Sequence, residues 1–430
     1  MPRTARIAVI LFLLFVLIYG LTARSGVQVS DEAAVFATAV SLATQGNLAI
    51  DHMQWLQDSV GIGRTGPDGH LYTKYFPGNV LGAAAIYALA ARSDDQPYVW
   101  QRTVMAPSNS AARLALKLNA VLGALAMAGL FLVLSRDYSL RTAVITTLLI
   151  GLTSDWWYQS RGFFSEIGAG AFLILSLYAA KTNKPYLSST ALAASILFRP
   201  LNLLALPIWL YAVARAGRKA IWSIVPLVAG GLLLAAYNQL RFGSLFDFGY
   251  GREEFNTSIL VGLYGIVLSP GRSLFMYSPI FLLAIPGAVL LYRLNKSLLF
   301  VCAITIAAYG LTISLWHAWD GGWTWGSRLL TPVVPLIGVL IAPVVDRSGS
   351  GRRLMIVIVI LAMVGFGVQV VALARDPAWV MVTQVLYGNV PYDDTLYTIG
   401  NSWLALQARS LGQWQPCDLD AYSLRLLVCR

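Results

Sequence analysis

The run LMIVIVILAMVGFGVQVVAL, from Leu354 to Leu373, contains no charged residue. A run of about 20 apolar residues is what a helix needs to cross a hydrocarbon core of about 30 Å. Because lipid offers no hydrogen-bond partner to exposed backbone groups, such a run must be helical. Arg352 and Arg353 directly precede it, so we predict a transmembrane helix that starts on the cytoplasmic side.

Comparable runs recur along nearly the whole chain of 430 residues, of which 57% are hydrophobic and 12% charged. With a mean hydropathy of +0.65, this composition excludes an ordinary soluble domain. The sequence therefore predicts an all-α polytopic membrane protein with about eleven transmembrane helices. They are placed near residues 5–23, 111–134, 140–158, 164–180, 186–198, 200–214, 220–239, 274–292, 297–316, 328–345 and 354–373.

The net charge of +11 does not indicate a nucleic-acid partner, because the basic residues form short clusters between apolar runs. Their alternation is typical of the positive-inside rule and places the N-terminus in the cytoplasm. The first run, Ile7 to Leu21, is followed by Arg24 and lacks an A-x-A-like cleavage site, so we expect an uncleaved helix. The predicted location is the inner (plasma) membrane, with any active site on the extracytoplasmic face.

The chain is expected to form one transmembrane module, residues 1–373, followed by a short outer tail, residues 374–430. The first outer loop, residues 24–110, contains two apolar segments that are too short to span, 31–47 and 79–91, and we predict interfacial helices there. Whether 186–214 crosses fully or re-enters at the FRP turn stays open. In the tail, Cys417 and Cys429 form either a disulfide or two free thiols.

The first candidate site is SDEAAVF, which carries Asp31 and Glu32. Neighbouring helical side chains point about 100° apart, so only one of the two can face a given site. That carboxylate is a candidate general base for an acceptor hydroxyl. The alternative is a structural role, with Ser30 or Asp31 capping the helix.

The second candidate is HLYTKYFPGNV, in which Lys74 stands between Tyr72 and Tyr75. A cation held among aromatic side chains at headgroup height suits a phosphate. A lysine snorkelling from an aromatic belt explains the pattern equally well.

Charged residues at predicted helix ends give further candidates. Arg161 and Glu166 lie at predicted helix ends near the membrane, where a charged side chain costs free energy unless it is paired or functional. The structural alternative is an ion pair between them. In the long segment from 237 to 279, Arg241 and Arg272 are candidate receivers of an anionic headgroup. Glu253 and Glu254 in the same segment are expected to be solvated.

The last candidate is SLWHAWDGGWTWGSRLLTP, Ser314 to Pro332. Indole rings stack on the apolar faces of sugars, while Asp320 and Arg328 suit hydroxyl and phosphate groups. An interfacial aromatic belt is the alternative. His317 has no partner at metal-ligand spacing and is a poor metal ligand.

In chain order, the DE pair, YTKYFPG, FRP, NQLRFGSLFDFGY, LSPGRSLFMYSP and WDGGWTWGSRLL resemble the GT-C superfamily of membrane glycosyltransferases. Within the superfamily, the resemblance is to the bacterial group related to protein mannosyltransferases and the lipid A aminoarabinose transferase (glycosyltransferase family 39-like). Such enzymes transfer a sugar, with inversion, from a polyprenyl phosphate to an acceptor on the outer face. Two departures are KYFPG, where many relatives have two prolines, and the absence of a large soluble C-terminal domain.

The resemblance implies roles for individual residues. Asp31 would be the base, with Glu32 as its companion, and Lys74 would lie against the donor phosphate. Further donor-phosphate candidates are Arg161, Arg272 and Arg328. The substrate cavity is expected to be lined by Tyr72, Tyr75, Glu166, Tyr250, Trp319, Asp320, Trp323 and Trp325.

The implied partners are a polyprenyl-phosphate sugar donor, membrane lipids, and a glycan, lipid or protein acceptor. No cofactor is predicted with certainty; a divalent metal, used by some superfamily members, stays open because no ligand set is visible. Three alternatives are a transporter or flippase of lipid-linked sugars, a glycan ligase with a polyprenyl-diphosphate donor, and a non-catalytic assembly subunit. A flippase would need polar or charged residues near the bilayer midplane to pass a headgroup. The centres of the predicted helices carry almost no charged residues.

Overall fold

A computed structural model describes residues 1–91, 96–101, 104–251, 253–349 and 351–429. Its helices are α1 (Arg3–Leu21), α2 (Ser30–Gln45), α3 (Gln54–Val60), α4 (Pro77–Ala90), α5 (Ser110–Ala115), α6 (Leu118–Leu134), α7 (Leu140–Thr153), α8 (Asp155–Ser160), α9 (Glu166–Lys181), α10 (Pro185–Phe198), α11 (Leu206–Ala216), α12 (Val225–Phe242), α13 (Ile259–Leu268), α14 (Leu274–Tyr277), α15 (Ala284–Leu294), α16 (Lys296–Leu315), α17 (Val334–Ser348), α18 (Arg352–Ala374), α19 (Pro377–Val382), α20 (Tyr392–Tyr397), α21 (Trp403–Ser410) and α22 (Tyr422–Val428). Short 3-10 turns occupy Asp51–Met53, Pro200–Ala205, Arg218–Ile224, Pro279–Leu283, Arg328–Val333, Leu411–Gln413 and Pro416–Asp418, and a π-helical turn occupies Thr383–Tyr387.

The protein is an all-α polytopic membrane protein, as predicted, and every predicted transmembrane segment contains helix. Six helical segments are long and apolar enough to span a membrane, judged by length and composition: Arg3–Leu21, Ser110–Leu134, Arg218–Phe242, Lys296–Leu315, Arg328–Ser348 and Arg352–Ala374. The remaining predicted spans are shorter helices, two of which are extended by a 3-10 turn that begins at a proline, Pro200 or Pro279. A proline has no N–H to donate, so it suits the first turn of such a segment.

The centre of the bundle is the segment Arg328–Ser348, whose apolar window is 94% buried. Its helix α17 packs against α6, α7 and α15, and α6 in turn packs against α1 and α9. In contrast, α1 and α18 have only 22% of their windows buried, which suits helices that face lipid. The apolar residues of the inner helices form one continuous core.

A layer of short elements lies over one end of the bundle and contains both predicted interfacial helices, as α2 and α4, which pack on each other. Two antiparallel hairpins complete it: β1 (Gly63–Thr65) with β2 (Leu71–Thr73), and β3 (Tyr98–Gln101) with β4 (Val104–Pro107). Residues Glu32 to Ser41 of α2 are all buried, so this helix lies inside the layer rather than on its surface.

The long segment from 237 to 279 contains a helix that was not among the predicted ones. This is α13, a ten-residue apolar helix that packs against α16. Gly262 makes this approach possible, since a Cβ there would lie 1.9 Å from the carbonyl oxygen of Ser314. At ten residues, α13 is too short for a full span.

Phe198, at the end of α10, is held between two helices. A Cβ on Gly78 of α4 or on Gly168 of α9 would lie 2.4 or 2.2 Å from its ring. Small residues of this kind let membrane helices approach closely. The packing fixes the next residue, Arg199, at the edge of the cavity described below.

The segment after α18 folds back onto the bundle. The amide of Asp420 donates to the carbonyl of Leu373 at 3.1 Å, and that of Tyr422 to the carbonyl of Ala23 at 3.0 Å. Cys417 and Cys429 form a disulfide, which resolves the alternative that the sequence left open. This segment therefore forms part of the same packed end as α2 and α4.

Candidate active site

A cavity of about 290 Å³ opens beneath the α2–α4 layer. Its walls come from the first turn of α2, the turn that leads into α4, the α8–α9 connection and the tryptophan-rich stretch after α16. The cavity brings together residues that lie far apart in the sequence. Eight of the predicted site residues line it: Asp31, Glu32, Lys74, Tyr75, Glu166, Tyr250, Trp323 and Arg328.

The two adjacent carboxylates diverge. The side chain of Asp31 is 29% exposed, and its Oδ2 lies 3.4 Å from Nη1 of Arg328. Glu32 is 1% exposed and accepts hydrogen bonds from the amide of Phe163 at 2.6 Å and from Arg24 at 3.4 Å. Burial raises the pKa of Glu32, while Arg24 opposes that rise. The helix is capped by the backbone of Val29 without a side-chain cap, so Asp31 keeps its carboxylate available to the cavity.

Lys74 lies in the cavity wall with its Nζ 2.8 Å from Oε1 of Glu253. The same atom lies 5.8 and 5.6 Å from the ring centres of Tyr75 and Tyr250. This cation is therefore enclosed by aromatic faces and one carboxylate. Glu253 also lies 3.6 Å from Nε2 of His317, so the expectation that Glu253 is solvated was wrong.

Arg328 connects the base candidate to a second carboxylate. Its guanidinium lies 4.1 Å above the ring of Phe164, and its Nε lies 3.7 Å from Oε1 of Glu166 without making a hydrogen bond. Glu166 is also bound by Arg199. The cavity wall therefore contains paired cations and carboxylates. Because these side chains are largely shielded from water, the two members of each pair stabilise each other's charge.

An apolar groove of about 270 Å³ adjoins the cavity and shares part of its wall. The shared residues are Phe76, Arg199, Tyr250, Glu253 and Trp316. Beyond them the groove is lined by apolar side chains such as Leu201, Phe248 and Phe255. Phe255 is 63% exposed, so the groove continues onto an apolar surface of the bundle.

Six predicted site residues do not line this cavity, and three of them are Arg161, Arg272 and Tyr72. Arg161 is fully buried and donates to the carbonyl of Thr22 at 2.6 Å and to the carboxylate of Asp420 at 3.0 Å. The structural alternative, an ion pair between Arg161 and Glu166, was therefore wrong, because each has another partner. Arg272 donates to the carbonyls of Thr324 and Gly322 and lies 4.1 Å above the ring of Trp403. Tyr72 donates to Asp68 at 2.6 Å.

The tryptophan-rich stretch divides in a similar way. Trp323 lines the cavity. In contrast, Trp319 packs against Gly265, and Trp325 lies in an aromatic core with a ring distance of 4.9 Å to Tyr277. Asp320 accepts from the hydroxyl of Tyr392 and from the amide of Gly322, so its carboxylate orders the glycine turn. Gly321 and Gly322 have φ values of 74° and 68°, which explains the pair.

Sequence reasoning missed three ionisable residues of the cavity as site residues: Arg199, Glu253 and His317. The signal for Arg199 was the FRP turn, which was interpreted only as a helix break. Glu253 and His317 were considered one at a time. Glu253 contacts both Lys74 and His317, and these three residues belong to chain segments that are far apart.

Within the described ranges, no three His, Cys, Asp or Glu side chains come together in an arrangement that would hold a metal ion. The cavity's carboxylates are instead bound to cations. Asp31 lies beside Arg328, and Glu166 is held by Arg199.

Comparison with known proteins reveals likeness in structure but not in sequence. No protein-family model matches the chain, and no curated protein matches it either. The apo crystal structure of ArnT from Cupriavidus metallidurans aligns with a TM-score of 0.53 at 16% identity, covering 98% of this chain and 75% of ArnT.

Two further solved structures align over the same 98% of the chain with lower scores. ArnT bound to undecaprenyl phosphate gives a TM-score of 0.49 at 14% identity and 74% coverage of that protein. The archaeal oligosaccharyltransferase AglB from Archaeoglobus fulgidus, in complex with an inhibitory peptide and a dolichol-phosphate, gives 0.43 at 12% identity and 55% coverage. ArnT and AglB are both members of the GT-C superfamily. The alignment with apo ArnT confirms, at the level of the fold, the resemblance inferred from the sequence: the chain has the fold of a GT-C membrane protein.

Proposed function

We propose that this protein is an inverting glycosyltransferase that moves a sugar from a polyprenyl-phosphate donor to an acceptor at the outer face of the plasma membrane. The observation that carries the proposal is the cavity that joins Asp31 to Lys74 and opens onto an apolar groove. A carboxylate, a cation and a lipid-compatible groove are the three elements that this reaction requires.

Asp31 is the proposed base. The oxygen of the acceptor hydroxyl attacks the anomeric carbon, and its proton passes to the Asp31 carboxylate. The second cavity carboxylate, Glu166, is 3% exposed and is held by Arg199, and Glu32 is held by Arg24 and the amide of Phe163. The fourth cavity carboxylate, Glu253, is 22% exposed and is bound to Lys74. Asp31, at 29%, is the most exposed of the four, which favours it for contact with a substrate.

Lys74 and Arg328 are the proposed cations for the leaving group. As the bond between the anomeric carbon and the phosphate oxygen breaks, the polyprenyl phosphate leaves with both electrons. Positive charge fixed beside that oxygen lowers the barrier, since a water-poor site does not screen it. Lys74 is bound to Glu253 in the free protein, so donor phosphate would compete with this carboxylate.

The groove beside the cavity is the proposed seat of the first prenyl units of the donor. Its side chains Leu201, Phe248 and Phe255 are apolar, and ArnT has been crystallised with undecaprenyl phosphate. Because the sugar is carried on a lipid, no nucleotide-binding fold is needed.

The test is transfer of labelled sugar from a panel of defined polyprenyl-phosphate sugars to membrane acceptors by the purified full chain. We expect transfer by the wild type, its loss in Asp31→Asn, and its retention in Asp58→Asn. Asp58 is an exposed carboxylate on α3, outside the cavity, and therefore controls for the change of charge. Full transfer by Asp31→Asn would exclude Asp31 as the base, and consumption of no donor by the wild type would overturn the proposal.

A further inference from the structure

A second cavity, of about 340 Å³, lies on the other side of Glu32. We name it the basic cavity, after its four cationic lining residues: Arg24, Arg113, Lys117 and Arg161. We propose that the basic cavity binds the phosphate group of a membrane lipid and that this lipid is the sugar acceptor. The acceptor role rests on the proposed function, whereas phosphate binding does not.

The carboxylates around the basic cavity do not neutralise it. Arg24 is paired with Glu32 at 3.4 Å, and Arg161 with Asp420 at 3.0 Å. Among the residues that the structure describes, Arg113 and Lys117 have no carboxylate within ion-pair distance. Two cations therefore remain for an incoming anion.

Hydrogen-bond donors are also left over inside the cavity wall. Nη1 of Arg161 and Nε of Arg24 are both buried and have no hydrogen-bond partner. Arg161 is 2% exposed. A buried guanidinium donor without a partner costs free energy, and a phosphate oxygen is the acceptor that its geometry matches best.

The surroundings of the basic cavity favour a lipid over a soluble anion. Leu114 lies in the wall between Arg113 and Lys117 and is 53% exposed. It belongs to Ser110–Leu134, a segment that is apolar and long enough to span a membrane. Charge and exposed apolar surface thus meet at one end of a spanning helix, as a headgroup and its chains require.

The position of the basic cavity connects it to the proposed reaction. Glu32 and Phe163 line both cavities, so these two residues form part of a wall that the cavities share. A lipid anchored by its phosphate on one side of this wall would lie beside the cavity that contains Asp31. This arrangement assigns the lipid to the acceptor side, because Lys74 and the apolar groove serve the donor.

Binding to purified full chain in detergent tests the site without requiring turnover. The probes are dioctanoyl phosphatidic acid, dioctanoylglycerol and inorganic phosphate. The test variant is Arg113→Gln with Lys117→Gln, and the matched control is Arg136→Gln with Arg141→Gln, two exposed cations outside the basic cavity. The thermal transition of each variant, and the single variant Lys117→Gln, guard against a folding defect.

We expect the wild type and the control to bind phosphatidic acid and the double variant to bind it about tenfold more weakly or worse, since two charge-assisted contacts are lost. The proposed phosphate site would be overturned if dioctanoylglycerol bound as tightly as phosphatidic acid. It would also be overturned if the double variant bound phosphatidic acid as tightly as the wild type. Inorganic phosphate binding as tightly as phosphatidic acid would overturn the lipid assignment.

The acceptor role is tested separately in the transfer assay. There the double variant is expected to raise the acceptor KM about tenfold and to leave the donor KM unchanged. An unchanged acceptor KM in a variant that has lost phosphatidic acid binding would overturn the acceptor role. Absence of transfer in the wild type would refute the proposed function and leave the binding result intact.

Discussion

The two neighbouring carboxylates Asp31 and Glu32 have opposite environments. Helical geometry predicts that they diverge, but the sequence alone could not tell which of them faces the cavity. That choice depends on the amide of Phe163 and the guanidinium of Arg24, both of which bind Glu32. Neither contact leaves a pattern in the sequence near residue 32.

Glu32→Gln is expected to destabilise the protein without changing the charge at Asp31. The substitution leaves Arg24, whose side chain is 4% exposed, without its paired anion, at a cost of about 3 kcal/mol. Thermal unfolding in detergent measures this. Asp31→Asn, at a partly exposed carboxylate, should change the transition temperature far less. Equal shifts for the two variants would contradict their assignment as structural and catalytic residues.

Helix α10 shows that the sequence was sufficient to predict where helices form but not how they pack against each other. Apolar runs and basic turns mark each predicted segment, and all of these segments contain helix. The wedging of Phe198 between Gly78 and Gly168 joins three segments that are separated by about 90 and 30 residues. Arg199 therefore appeared in the sequence only as part of a helix-breaking turn.

Gly168→Ala is expected to disturb both stability and the cavity. Its Cβ would lie 2.2 Å from the ring of Phe198, and overpacking of this kind costs about 1–3 kcal/mol. The ring must shift and carry Arg199 away from Glu166. The matched control is Gly231→Ala on α12, where a Cβ meets nothing within 4 Å. Thermal unfolding and sugar transfer are measured for both variants. Equal transition temperatures and equal transfer rates would contradict the close packing of Phe198 against Gly168.

Asp376, at the start of α19, is expected to make the free energy of unfolding depend on pH. Burial raises its pKa from the ordinary 3.8 to about 7, and neighbouring Asp420 adds to the rise. Because the folded-state pKa lies above the ordinary one, stability is greatest at low pH and falls as pH rises towards 7, where the carboxylate ionises.

Asp376→Asn removes this pH-dependent loss of stability and keeps the side-chain oxygen that accepts from the amide of Ala378. The variant should gain about 1 kcal/mol, or ~2 °C, at pH 8, and much less at pH 5. Thermal unfolding at the two pH values measures the difference. A gain that is equal at both would show that ionisation of Asp376 is not its cause.

At the scale of the whole molecule, composition and hydropathy were sufficient for the fold class, because lipid allows so few backbone arrangements. The contacts of the C-terminal tail could not be predicted in this way. Arg161 and Asp420 lie 259 positions apart, and no periodicity connects them. Arg161 was therefore assigned to the donor phosphate, although its closest contacts are with the folded-back tail.

The predicted topology can be tested by labelling introduced cysteines with a membrane-impermeant maleimide in intact cells. Wild type provides a low background, since Cys302 is buried and the other two cysteines form the disulfide. Ser59→Cys, exposed beside the α2–α4 layer, should be labelled from outside. Lys219→Cys, exposed at the opposite loop position, should react only after permeabilisation. The reverse pattern would contradict an outward-facing cavity.

The most direct test of the central claim is a paired measurement of donor binding and single-turnover sugar transfer on the same protein preparations. For Asp31→Asn we predict donor affinity within about twofold of wild type and transfer slowed about 100-fold or more, because only proton acceptance is lost. For Lys74→Gln we predict donor affinity weakened about tenfold, since a charge-assisted phosphate contact is lost. Unimpaired transfer by Asp31→Asn, with donor bound normally, would contradict the account.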